Sequence, residues 1–98
     1  MIKISIKKEN NDIKEISILG HALYDDYGKD IVCASVSSIV TTTVNAIESF
    51  DKDLISYTID PFNIKVLKNT KECNLLLNNM INLLKELEHD YPKNIRIL

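Results

Sequence analysis

Only two glycines and two prolines occur in these 98 residues, so the backbone has few places where it can turn freely or must stop. Those places divide the chain. Gly20 and Gly28 bracket GHALYDDYG, a segment with neither a two-residue nor a 3.6-residue apolar period, which reads as a loop of about nine residues. Loops of that length exceed the commonest connections and tend to carry function. Pro61 and Pro92 fall between periodic segments and read as turn and helix-end punctuation.

Between these marks the apolar residues keep two different periods. IKISIK at 2–7 alternates, NNDIKE is a turn cluster, and Ile13, Ile16, Ile18 and Leu19 resume the alternation loosely, which predicts an antiparallel hairpin. LISYTI at 54–59 and NIKVLK at 63–68 alternate around Asp60-Pro61-Phe62 and predict a second hairpin. The stretch from Asp30 to Phe50 is rich in β-branched residues, which favours strand. Its spacing favours helix, with Val32, Val36, Ile39, Val40, Ile47 and Phe50 largely on one stripe and Ser and Thr opposite. A strand of that length would be abnormal, so helix is the better assignment. Asp30 is then its N-cap, with Ile31, Val32 and Cys33 in the first turn. A second helix spans about 71–89, where Cys73, Leu77, Met80, Leu84 and Leu87 form a seam, and IRIL closes the chain as a strand. The order ββαββαβ predicts one two-layer α+β domain over 1–98, with a mostly antiparallel sheet and two helices.

Composition narrows the function classes. The net charge of −2 offers no basic field for nucleic acid. No apolar run approaches the roughly 20 residues that span a bilayer. The opening MIKISIKKENN alternates and turns polar where a signal peptide would be apolar, so a cytoplasmic, reduced chain is expected. Cys33 and Cys73 are too few for a disulfide framework, and with His21 and His89 they have no metal-ligand spacing; no metal and no cofactor are expected.

One position can do chemistry. A thiolate in the first turn of a helix is stabilised by unpaired N–H groups and the positive end of the helix dipole. Free N–H groups at Cys33 and Ala34 are expected to receive a developing oxyanion. His21, directly after the second predicted strand, reaches the thiol if the loop folds back, and then acts as its base. Gly20 lets the chain turn sharply, and Gly28 permits a φ that other residues avoid. Tyr24 and Tyr27 offer apolar walls for a substrate, Asp25 and Asp26 a negative field, and Ser37 lies one turn beyond Cys33 on the same face. Plainer readings stand beside these. A free cysteine is most often packing, Asp30 a simple cap, the tyrosines surface residues, Ser37 a solvated helix position, and Cys73 core. His89 reads as a cation at the C-terminal end of its helix.

The string GHALYDDYGKDIVCASVSS closely resembles the signature of the bacterial ribosomal-processing cysteine proteases, approximately G-H-A-x-Y-(several)-G-x-D-I-V-C-A-x-V-S. Gly20, His21, Ala22, Tyr24, Gly28, Asp30, Ile31, Val32, Cys33, Ala34, Val36 and Ser37 all match, and the length, opening strand and element order agree. The resemblance implies a small homodimeric endopeptidase that removes a short N-terminal extension from a large-subunit ribosomal protein. It implies Cys33 as nucleophile, His21 as its histidine, Asp30 and Ser37 in the same site, and a mobile loop that orders around substrate. Two other classes remain open on the residues alone. One is a ribosome-assembly factor that binds the precursor without cutting it; the other is a dimerisation domain using the Leu77–Met80–Leu84–Leu87 seam.

Overall fold

Alternation in the first strand sets the layers. Ile2 and Ile4 are buried whereas Lys3 is exposed, so one face of the sheet is apolar and the other faces solvent. The computed structural model describes residues 1–98 and contains β1 (Ile2–Glu9), β2 (Asp12–Leu19), α1 (Ile31–Phe50), β3 (Ile55–Ile59), β4 (Phe62–Val66), α2 (Lys71–Asp90) and β5 (Ile95–Ile97). The strands form one sheet in the order β3-β4-β2-β1-β5. Neighbours are antiparallel except β5, which runs parallel to β1. Both helices lie on the apolar face and share one core with it. The expected ββαββαβ order and two-layer α+β arrangement are found.

Local chemistry explains the joints. Asn10 and Asn11 both have positive φ, 53° and 68°, the conformation a two-residue hairpin turn needs and that asparagine tolerates. In β2 the buried Ile13 and Ile16 stand three apart, which breaks strict alternation. The pairing slips where Lys7 faces Glu15 and Lys8 faces Ile13, and this bulge returns both isoleucines to the core face. Thr70 caps α2 by accepting from the Cys73 N–H at 3.2 Å.

Three sequence expectations change. The stripe of α1 is Val32, Val36, Val40, Thr43, Val44 and Ile47, while Phe50, the final residue of the helix, is 63% exposed. Thr43 sits in the core because its hydroxyl donates to the Ile39 carbonyl at 2.8 Å. The α2 seam is not free for a partner: Cys73, Leu77, Met80, Ile81 and Leu84 are buried within this chain. By length and composition α1 is apolar enough to cross a bilayer, against the expectation of no such run, yet its apolar stripe belongs to the core under the sheet.

Burial separates the two helices' tolerant and intolerant positions. Leu84→Ala removes a fully buried side chain and is expected to lower unfolding free energy by about 2–5 kcal/mol. Phe50→Ala should change it by no more than about 0.5 kcal/mol. Urea titrations of the two variants check both values.

Candidate active site

The last residue of β2 hands the chain to Gly20, whose φ is 92°. A β-carbon at that position would run into the Met1 carbonyl oxygen, so both conformation and space demand glycine. The chain then swings over the N-terminus of α1. Leu23 adopts a positive φ of 55°, and Gly28, at 84°, brings the loop back to the helix with open space around it.

Asp30 ties the two ends of this loop together. Its Oδ1 accepts the N–H groups of Val32 and Cys33, each at 3.0 Å, and so caps the helix. Its Oδ2 accepts the N–H groups of Tyr24 at 3.0 Å and Asp25 at 3.4 Å, and so pins the loop. Hydrogen bonds from these backbone amides, that of Cys33 foremost, hold the Asp30 carboxyl below the usual carboxylate range; partial burial works in the opposite direction. Asp30 makes no hydrogen bond to His21. Its role in the structure is to join helix and loop.

Cys33 is half-buried at the third helical position. Its Sγ accepts a hydrogen bond from the Ala22 N–H at 3.4 Å. Two clefts meet at the sulfur. One, of about 520 Å³, runs toward the tip of the β3–β4 hairpin, where Ile59, Pro61 and Phe62 form its far wall. The other, of about 550 Å³, opens under the loop beside Leu23, Tyr27 and Gly28. His21, Cys33 and Ser37 line both, so these three stand where the clefts join. An extended peptide crossing that junction would pass both the thiol and the exposed His21 side chain.

A sequence model of the family described as "Cysteine protease Prp" matches residues 1–96. The chain belongs to the cysteine protease Prp family. A Ribosomal processing cysteine protease Prp from Staphylococcus aureus is 32% identical, over 99% of this chain and 97% of the relative. One from Bacillus subtilis is 27% identical, over 99% and 96%. The S. aureus Prp solved with a covalently linked product peptide superimposes with a TM-score of 0.89 at 32% identity, covering 99% of this chain and 97% of that one. The same protease with a substrate peptide gives 0.84 at 31% identity, covering 100% and 98%.

Within this Prp fold the sequence-expected residues separate into groups. His21, Cys33 and Ser37 come together, and Gly20, Tyr27 and Gly28 edge the clefts. Tyr24 turns away and packs edge-on against Tyr91, with ring centroids 5.3 Å apart. The amides expected to be free are not. The Cys33 N–H is taken by Asp30 Oδ1, and the Ala34 N–H donates to the Asp30 carbonyl at 3.0 Å. The capping carboxylate takes the Cys33 donor, while the Ala34 N–H closes the first i→i−4 bond of the helix. Sequence reasoning missed Asn94, whose Nδ2 donates to the Ala22 carbonyl at 3.0 Å across 72 residues of chain. It also missed the hairpin tip at 59–62. Cys73 is buried as expected, and burial pushes its thiol up.

Gly20 and Gly28 should respond differently to alanine. Gly28→Ala meets no atoms and is expected to cost about 1 kcal/mol from φ alone. Gly20→Ala adds a backbone clash with Met1 and should cost about 3 kcal/mol or more. Paired thermal and urea melts measure the gap.

Acid should release the loop in a defined direction. Because the folded Asp30 titrates below its unfolded value, its stabilisation is complete above about pH 4. It is lost as pH falls through the lower folded value. Asp30→Asn keeps the Oδ1 cap and loses the Oδ2 acceptor. The stability gap between wild type and Asp30→Asn is therefore expected to hold from pH 7 to 5 and to shrink toward pH 3, as read by urea midpoints at each pH.

Proposed function

We propose that this chain is an endopeptidase that removes the N-terminal extension from a large-subunit ribosomal protein precursor, with Cys33 as nucleophile and His21 as general base. The observation that carries the reading is the meeting of two clefts at a half-buried sulfur, with an imidazole and Ser37 lining both. A peptide needs room on each side of the bond to be cut, and the junction provides it. Relatives of the same fold that hold a substrate peptide and a covalently linked product peptide support a peptide seat here.

In this mechanism His21 takes the thiol proton and Cys33 Sγ attacks the scissile carbonyl carbon. His21 returns the proton to the departing amine, and water then hydrolyses the thioester. Asp30 acts at a distance by fixing the nucleophile's helix and the histidine's loop to one carboxylate. Ser37 borders the sulfur from the next turn of α1. The hairpin tip supplies an apolar wall for substrate side chains. The protein works as a homodimer in the cytoplasm, without a cofactor and without binding nucleic acid directly.

A synthetic peptide spanning the extension junction, incubated with the protein and read by mass spectrometry, should be cut at one bond. Cys33→Ala and His21→Ala should each lower the rate by about 10³-fold or more while keeping the wild-type melting temperature. Brief treatment with iodoacetamide should label Cys33 alone, leave buried Cys73 untouched, and abolish cleavage. Cleavage at the normal rate by Cys33→Ala would overturn the assignment.

A further inference from the structure

We propose that the Ala22 backbone N–H is the donor that receives the oxyanion beside Cys33, and that Asn94 is the positioning residue that holds it there. This rests on the proteolytic reading above and adds what that reading lacks, a source of charge stabilisation.

Three amides at the start of α1 are spoken for. Val32 and Cys33 donate to Asp30 Oδ1 and Ala34 to the Asp30 carbonyl, so neither the Cys33 N–H nor the next one along the helix is free. The Ala22 N–H points at Sγ from 3.4 Å, and it is the hydrogen-bond donor the structure gives that atom. Ala22 is 1% exposed, so water does not compete for this amide. When sulfur bonds to the scissile carbon, the carbonyl π pair moves onto oxygen, which then lies next to Sγ. An N–H aimed at Sγ transfers to that oxygen with a small rotation and donates to it. Collapse of the intermediate restores the C=O, breaks the C–N bond, and releases the amine with the proton carried by His21. Water then cleaves the thioester and restores the thiol.

The donor is held from the other end of the chain. Asn94 Nδ2 donates to the Ala22 carbonyl at 3.0 Å, and that carbonyl belongs to the peptide plane adjoining the Ala22 N–H. Fixing one plane restricts rotation of the other about their shared Cα. The clamp itself is rigid: the Asn94 N–H donates to the Tyr91 carbonyl at 3.0 Å, and its carbonyl accepts the Ile2 N–H at 2.9 Å. These two bonds use backbone only. Replacing the Asn94 side chain therefore removes the contact with Ala22 and leaves the frame in place. Next to Ala22 the chain passes through positive φ at Leu23, a conformation that a non-glycine residue keeps only where surrounding contacts hold it.

Steady-state kinetics of Asn94→Ala and of the isosteric Asn94→Asp test this with the junction peptide as substrate, alongside melting temperatures. Full loss of one oxyanion donor lowers kcat by about 10²–10³-fold, so loosening it should lower kcat by about 10- to 100-fold. KM should stay within about two-fold of wild type, because the donor acts on the intermediate. Asn94→Asp should lose at least as much, since a carboxylate would face the Ala22 carbonyl with nothing to donate. A peptide aldehyde, which forms a tetrahedral adduct with Cys33, should inhibit Asn94→Ala more weakly by a similar factor, while the corresponding peptide alcohol inhibits both proteins alike. Unchanged kcat in Asn94→Ala, a loss confined to KM, or unfolding of both variants at the assay temperature would each overturn the role of Asn94 while leaving cleavage by wild type intact. Absence of cleavage by wild type itself would overturn the proteolytic reading and this inference with it.

Discussion

A single carboxylate holds two pieces of backbone together. One oxygen of Asp30 ends the helix that carries Cys33, and the other fastens the loop that carries His21. Four amides converge on this group, which is why its charged form is favoured there. Without that bridge the loop, exposed along most of its length, would have little apolar area with which to hold itself near the sulfur. The thiol and the imidazole proposed as its base thus share one geometric reference.

Around that reference the fold contributes by exclusion. Twenty buried apolar residues form one core under the sheet, and the half-buried Cys33 lies at its margin, packed against it yet open to the clefts. Cys73, equally a free thiol, lies inside that core, where burial keeps it protonated. Identical side chains on the two helices have been given opposite environments.

The elements were legible because most of the apolar periods survive in the structure, and Asp30 was legible as a cap because a carboxylate directly before Ile31-Val32-Cys33 stands where the helix's first N–H groups need an acceptor. Four features resisted. The bulge that sets Ile13 and Ile16 on one face breaks a two-residue period, so alternation alone reads that strand as irregular. The engagement of the Cys33 and Ala34 amides follows from the cap itself, but spacing shows where a cap stands and not how many donors it takes. Contacts across long stretches of chain, such as Asn94 with Ala22, leave no local pattern at all. The same is true of the hairpin tip at the cleft, since its place there depends on the strand order and not on any neighbouring residue.

The sheet closes by laying β5 alongside β1, and the loop over Cys33 leans on both ends of the polypeptide: on Met1 and Ile2 at its start, on Tyr91 and Asn94 near its finish. A nascent molecule emerging from the ribosome has no such seat until its final strand has been released and docked. An immature copy would therefore keep only the Asp30 tether and the Ala22–Cys33 contact, and the full seat of the loop arrives only with the completed architecture.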